Sequence, residues 1–535
     1  MREQVFWGWG EPGAGPELPA HAEAFLCDEL GVAGGVVDAP VALEAVRLGA
    51  AALPEALRGS LEAVVGPQGV RDDRLARVLR CRGKSYLDLL AQRAGDCSAA
   101  PDAVVRPRTH EQVQAVLGLC AEAGAAVVPF GGGTSVVGGL GAARDGFEAV
   151  VSLDLGLMDA VESVDERSLT AVLQPGLRLP EADRALRAHG LTLAHAPQSY
   201  EWATVGGCVA TRSAGQSSTG HGRIDENVVA VRCATPAGEL TTLGVPASAA
   251  GPALREVVVG SEGALGVITR VALRVRRAGA PWRYEGWLAR SFGDGVEALR
   301  ALEQAGLAPD VARLSDETET RVSLAFADPG GPARRAGLGL ARALGYGGGC
   351  LLVVGWEGGD GSRVRAARRA LRRAGALPAG AGLGEAWAAA RFAGPHLRDD
   401  LLDRGVLVET LETAASWTRL EQVRGAVAGA LRGALGRPLV GCHVSHLYPT
   451  GASLYFTVLA ARDGGDPAGQ WRRAKAAAGD AIVAAGATIT HHHAVGRDHA
   501  PWLGAETGPL GLELLRTVKD RCDPAGVMNP GVLLA

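Results

Sequence analysis

The chain has 535 residues, 54 basic and 58 acidic side chains for a formal net charge of −4, and 47% hydrophobic residues. That leaves room for roughly two to four domains with cores of their own, and it excludes both a disordered chain and a nucleic-acid partner gripped by bulk positive charge. Glycine, at 76 residues, is roughly twice its usual share but follows no triplet period, so a collagen-like chain is excluded too.

Nine cysteines, at 27, 81, 97, 120, 208, 233, 350, 442 and 522, contain no C-x-x-C. An odd number in so long a chain reads as reduced thiols without a zinc or iron–sulfur cluster. The opening Met1-Arg2-Glu3-Gln4-Val5-Phe6-Trp7 lacks the basic-then-apolar pattern of a leader, and Gly531-Val532-Leu533-Leu534-Ala535 is no peroxisomal signal. A cytoplasmic location is the expectation. Ala123 to Ala143 is uncharged and long enough to span a bilayer, but seven glycines and Pro129 make it a loop-bearing stretch.

Residues 1–97 read as a helical section without a recognisable site. Val104-Val105-Arg106 then predicts a strand ended by Pro107. Thr109 predicts a helix start, with Gln112 completing a capping box. Val113, Val116, Leu117 and Cys120 keep helical spacing, and Gly124 is the stop. Ala126–Phe130 predicts a strand that delivers Pro129 and Phe130 into Gly131-Gly132-Gly133-Thr134-Ser135. Such glycines let backbone N–H groups converge on an anion, and Thr134 and Ser135 add hydroxyls. No Gly-Lys-Ser/Thr follows and no G-x-G-x-x-G is present; the loop leads to another strand, Val150–Leu153, so it is neither a Walker nor a Rossmann loop.

A second cluster runs from Pro197, Gln198 and Ser199 through Thr204, Gly206 and Gly207 to Ser213 and Gly215. A third is Gly260-Ser261-Glu262-Gly263-Ala264-Leu265-Gly266-Val267-Ile268-Thr269. Three Gly/Ser/Thr loops between strands suggest one long anionic ligand held by backbone amides, which suits a dinucleotide.

These residues, in this order, resemble the FAD-binding domain of the vanillyl-alcohol-oxidase (PCMH-type) superfamily. Residues 131–140 hold no histidine for covalent attachment, so the resemblance implies non-covalent FAD. Further segments narrow it: Pro197–Gly207, Arg313-Leu314-Ser315-Asp316, Leu397-Arg398-Asp399, Glu409-Thr410-Leu411-Glu412-Thr413, Tyr448–Phe456 and His491-His492-His493. In this order they are similar to the alkyldihydroxyacetonephosphate synthases, and to actinobacterial members in particular, so a bacterial source is expected. The resemblance implies an α+β fold. Residues 98–280 would form a two-subdomain FAD-binding domain and 281–490 an antiparallel-sheet cap over the flavin. Residues 491–535 would complete the flavin site. It also implies a redox-neutral exchange of an acyl group on dihydroxyacetone phosphate for a fatty alcohol, performed by a homodimer on a lipid substrate. The alternative is net oxidation of a 2-hydroxy acid or other small alcohol by an FAD-dependent dehydrogenase.

Such chemistry needs proton carriers, cations and a dry channel. The histidines titrate near neutrality and are the acid/base candidates. Thr488-Ile489-Thr490 predicts a strand carrying the triplet, with His491 and His493 on one face and His492 on the other. No carboxylate is evident beside them, so no metal is expected. Tyr448 matches the family's active-site tyrosine, its phenol to be lowered by His443, His446 or an arginine. The resemblance gives Arg313 and Arg398 the flavin and substrate. The eukaryotic run C-R-V-T-Q-T-Y is here Cys442-His443-Val444-Ser445-His446-Leu447-Tyr448, with a histidine in place of the arginine. Finally, Ser362 to Arg373 holds six arginines with Val364, Ala367 and Leu371 at helical spacing: a solvated helix face by default, a membrane-docking face as the alternative.

Overall fold

The computed structural model describes residues 3–534 except 16, 142, 143, 145, 280, 328–330, 359 and 360. Met1, Arg2, Ala142, Ala143 and Ala535, which belong to stretches read above, lie outside the described residues.

The predicted start of the FAD domain forms as its sequence demands. The helix His110–Glu122 is capped by Thr109, whose hydroxyl accepts the Gln112 N–H at 3.2 Å. The Gln112 side chain instead accepts the Arg108 N–H at 2.7 Å. Val113, Val116, Leu117 and Cys120 are all buried, and Gly124 ends the helix at φ 61°. The strands Ala103–Val105, Ala149–Asp154 and Ala125–Phe130 lie side by side and parallel, with Val70–Arg71 antiparallel at the edge. They are buried along nearly their whole length, as parallel strands covered on both faces must be.

A second sheet runs Gly238–Thr241, Val228–Thr235, Val267–Arg274, Thr170–Leu173 and Val161–Asp165, antiparallel throughout. The third is the largest: seven strands in the order Leu377–Gly380, Trp282–Ala289, Cys350–Glu357, Val311–Ser315, Leu439–Tyr448, Gly451–Ala461 and Val406–Ser416. Helices 292–304, 361–373 and 420–435 bury Leu299, Leu371 and Leu431 in the core of this cap. The six-arginine stretch lies in the second of them, with Val364, Ala367 and Leu371 inward as expected. Arg363 and Arg368 pair with Asp310 and Glu285, and Arg372 stacks over Trp287. Part of that positive charge is therefore spent within the cap, which supports the default reading over a docking face. Among the described residues no helix is long and apolar enough to cross a membrane.

Both ends of the described chain return to the domain of the glycine loop. Met528 bridges Val127 of the parallel sheet, and Val527 and Met528 join its core. At the other end, residues 4–9 form a strap over the glycine loop and the cap. Gln4 Nε2 donates to the Gly132 carbonyl at 2.9 Å, and Lys84 Nζ donates to the carbonyls of Val5 and Phe6 at 2.8 and 3.1 Å. The Trp9 N–H donates to Asp399 Oδ2 at 2.6 Å. Gly8 lies so close to Asp399 that a Cβ would sit 2.5 Å from the carboxylate oxygen. Gly8→Ala is therefore expected to cost about 1–3 kcal/mol of stability by overpacking and to loosen FAD retention. Gly59→Ala, on an open helix face with nothing within 4 Å, should be neutral or stabilising. Thermal unfolding with parallel FAD quantitation checks the pair.

Candidate active site

One continuous cavity joins the FAD domain to the cap. At one end it is lined by Pro129 to Ser135, Pro197 to Ser199, Thr204, Gly206, Gly207, Ser213, Gly215, Glu262, Gly263 and Gly266 to Ile268. The three loops read from the sequence thus face one space. Their backbone and the hydroxyls of Thr134, Ser135, Thr204 and Ser213 suit the pyrophosphate and polyol of FAD. Glu262 fastens the third loop to the chain beyond the histidines by accepting the N–H groups of Val495 and Gly496, each at 2.8 Å. Burial pushes its carboxyl up to about 7, against those two hydrogen bonds. Asn529 Nδ2 donates to the carbonyls of Gly139 and Glu262 at 3.2 and 2.7 Å, so the C-terminal segment locks the first loop to the third.

The other end belongs to the cap. Glu412, from the strand Val406–Ser416, is fully buried and carries no Lys or Arg partner among the described residues. Its carboxylate accepts the N–H groups of His491, His492 and His493 at 2.5, 3.1 and 2.8 Å, and the Thr490 hydroxyl at 2.6 Å. Burial opposes the charge, yet the three imidazoles and Thr490 hold the carboxyl well below its usual range. The histidines consequently lie on a tight loop, ended by Ala494 at φ 76°, and not on a strand. This corrects the predicted alternation: three successive N–H groups can point at one carboxylate only if the backbone curls. It also corrects the expectation that no carboxylate stands beside the triplet, since Glu412 Oε2 lies 3.6 Å from His492 Nδ1. Ring nitrogens of His446, His491 and His492 lie within 4.8 Å of one another.

Only His492 and His493 of the triplet line the cavity, together with His443, His446 and Tyr455. His491 sits behind, between Tyr448 and His492. Tyr448 Oη and His491 Nε2 are hydrogen-bonded at 2.6 Å, and His491 Nδ1 shares a proton with His492 Nδ1 at 3.0 Å. Tyr448 is thus the rear of a relay and not a wall residue. It pairs with Gly451 at the tip of the hairpin, which carries it past the cavity. The cation beside it is Arg223, not His443 or His446, and burial still pushes the phenol up to about 12. Burial lowers His492, with Glu412 working against it, and takes His493 down to about 3.

The wall tyrosine is Tyr455, directly opposite His443 in the hairpin register. It stacks on His443 at 4.9 Å and on His492 at 5.9 Å. Arg313 and Arg398 both line the cavity. Arg313 pairs with buried Glu319, and Arg398 Nη1 donates to the Lys84 carbonyl at 2.6 Å. His195, which nothing in the sequence singled out, is buried with Nε2 3.2 Å from Ser213 Oγ, and burial lowers it to about 3. Of the catalytic candidates read from the sequence, all but Tyr448 and His491 meet on the cavity wall. Glu412, Glu319 and Tyr455 were missed. Glu412 and Tyr455 lay inside segments already quoted, but only the sheet register distinguishes Tyr455 from Tyr448.

Comparison with known proteins agrees with this geometry. Residues 101–244 match the family described as FAD binding domain, and residues 282–533 match FAD linked oxidases, C-terminal domain. The alkyldihydroxyacetonephosphate synthase of Dictyostelium discoideum is 32% identical over 497 residues, covering 90% of this chain and 81% of that protein. That of Trypanosoma brucei brucei is 30% identical, covering 99% and 92%. A solved alkyldihydroxyacetonephosphate synthase structure superposes with a TM-score of 0.85 at 26% identity, covering 99% of this chain and 98% of that one. FAD is the cofactor that these loops are built for, and the chain belongs to the alkyldihydroxyacetonephosphate synthase family.

Proposed function

We propose that the protein exchanges the acyl group of an acyl-dihydroxyacetone phosphate for a long-chain alcohol, with FAD bound non-covalently, and so makes an ether-lipid precursor. The observation that carries this reading is the composition of the cavity between the flavin loops and the cap. Flavin loops, neutral imidazoles and two arginines give way to an apolar wall that includes Val322, Phe326, Leu401, Val408, Leu439 and Leu459. When bound, FAD supplies an electron sink that ends in its starting oxidation state, so no external acceptor is consumed.

The chain's own residues do the rest. Arg313 and Arg398 offer guanidinium groups to the substrate phosphate and the leaving carboxylate. His492 and His493 stand on the wall as neutral imidazoles able to take a proton from the substrate carbon and return it. Behind them, Tyr448 and His491 connect His492 to a proton reserve. The apolar wall keeps water from competing with the alcohol. Net oxidation of a small 2-hydroxy acid is not favoured: such a substrate would leave the apolar wall unused. The lipid substrate also supports transient contact with a membrane surface, and we infer that the protein works there from the cytoplasm.

An anaerobic assay with palmitoyl-dihydroxyacetone phosphate and hexadecanol is expected to yield the alkyl ether by mass spectrometry with no electron acceptor added. Flavin reduction by lactate or glycolate, with no ether, would overturn the reading. The buried histidines also set a stability profile. His493 binds its proton near pH 3 in the folded chain but near 6.5 when unfolded, so its contribution is present above pH 6.5 and is lost as the pH falls from there toward 3. His493→Gln should reduce the pH slope of unfolding free energy across pH 4–6 by about one proton. Denaturant titrations at stepped pH measure that slope.

A further inference from the structure

The apolar wall ends on a carboxylate–histidine pair that the proton chemistry above does not use. The strand Leu439–Tyr448 presents alternate residues Leu439, Gly441, His443 and Ser445 to the cavity. Beside it, the helix Glu317–Ala327 presents Glu319, Val322, Ser323 and Phe326. Both elements therefore run from hydrocarbon to a polar head at the same level. Gly441 makes the pair possible, because a Cβ there would lie 2.9 Å from that of Glu319.

His443 Nδ1 donates to both Glu319 oxygens, at 3.1 and 3.0 Å, and Arg313 closes the other side of the carboxylate. With Nδ1 carrying the proton, Nε2 is the free lone pair. Among the described residues no protein group bonds Nε2, and it is not sealed from the cavity as His195 Nδ1 and His446 Nδ1 are. The ring is fixed by its stack on Tyr455. A carboxylate that orients an imidazole whose second nitrogen faces substrate is the arrangement of a general base. Burial, with Arg313 beside it, also keeps His443 below its ordinary pKa despite Glu319, and so unprotonated near neutrality.

We propose that the Glu319–His443 pair is the base that activates the incoming alcohol, whose hydrocarbon chain lies along Leu439, Val322 and Phe326. The alcohol O–H bond breaks and its proton passes to His443 Nε2. An oxygen lone pair forms the new C–O bond at the substrate carbon from which the carboxylate has departed with its own bonding pair. His443 then gives the proton to solvent, which matches the one proton and one carboxylate released by the whole exchange. No net electron transfer is involved.

This inference rests on the ether-forming reading, and the test separates the two. Wild-type, His443→Gln and Glu319→Gln holoenzymes, each with FAD content measured, are given palmitoyl-dihydroxyacetone phosphate and either hexadecanol or labelled palmitate. The first partner gives ether, and the second reports acyl exchange, which needs no alcohol activation. The ratio of ether formation to acyl exchange should fall about 100-fold or more in His443→Gln and less in Glu319→Gln. Hexadecanol binding by calorimetry should persist. Hexadecanethiol, which ionises far more readily, should form its thioether with a much smaller loss. An unchanged ratio in both variants overturns the proposal, as does a loss explained wholly by lost hexadecanol binding. No ether from the wild-type enzyme overturns the ether-forming reading itself, and this inference with it.

Discussion

A buried carboxylate with no Lys or Arg beside it can stay charged only if N–H and O–H groups close around it. Glu412 meets that condition by curling the chain: three consecutive histidine amides and the Thr490 hydroxyl converge on its two oxygens. The geometry of the site follows. The loop faces His492 and His493 into the cavity, leaves His491 behind to join Tyr448, and turns at Ala494 to meet Glu262. One anion of the cap thereby sets where three imidazoles stand relative to the flavin loops.

The link continues into the FAD domain. Glu262 takes the chain two residues after the triplet, while Asn529 ties that same flavin loop to the first. The strap from residues 4–9 joins the glycine loop to Asp399, next to Arg398. Cofactor loops, cations and histidines are therefore fixed to one another through backbone hydrogen bonds. Such pre-organisation is what charge development at a reacting carbon requires. The relay behind the wall works the same way: with its phenol pushed up to about 12 by burial, Tyr448 keeps its proton near neutrality and stays hydrogen-bonded to His491.

The flavin half was legible in the sequence because its signals are local. Thr109, Gln112 and the apolar spacing after them specify a helix, and three glycine-rich loops between strands announce a long anionic ligand whatever the fold around them. The reacting half was legible only in its residue types. Glu412 meets His493 from 81 positions away, and Glu319 meets His443 from 124. No window of sequence shows such pairs. The triplet looked like a strand because Thr488-Ile489-Thr490 is β-rich, and a distant carboxylate overrode that propensity. Tyr448 and Tyr455 could be told apart only by hairpin register, which leaves the first at the tip and the second opposite His443. In the arginine-rich helix Val364, Ala367 and Leu371 followed the helical period as read, and the ion pairs of Arg363 with Asp310 and of Arg368 with Glu285 came from tertiary packing.

The Glu412 carboxylate positions the histidines for proton transfer. The most direct measurement is the rate of ether formation by Glu412→Gln protein that retains its fold and its full complement of FAD. A fall of about 100-fold or more is expected, since misplacing a proton-transfer group by about 1 Å costs that much. A rate within a few-fold of wild type would contradict it.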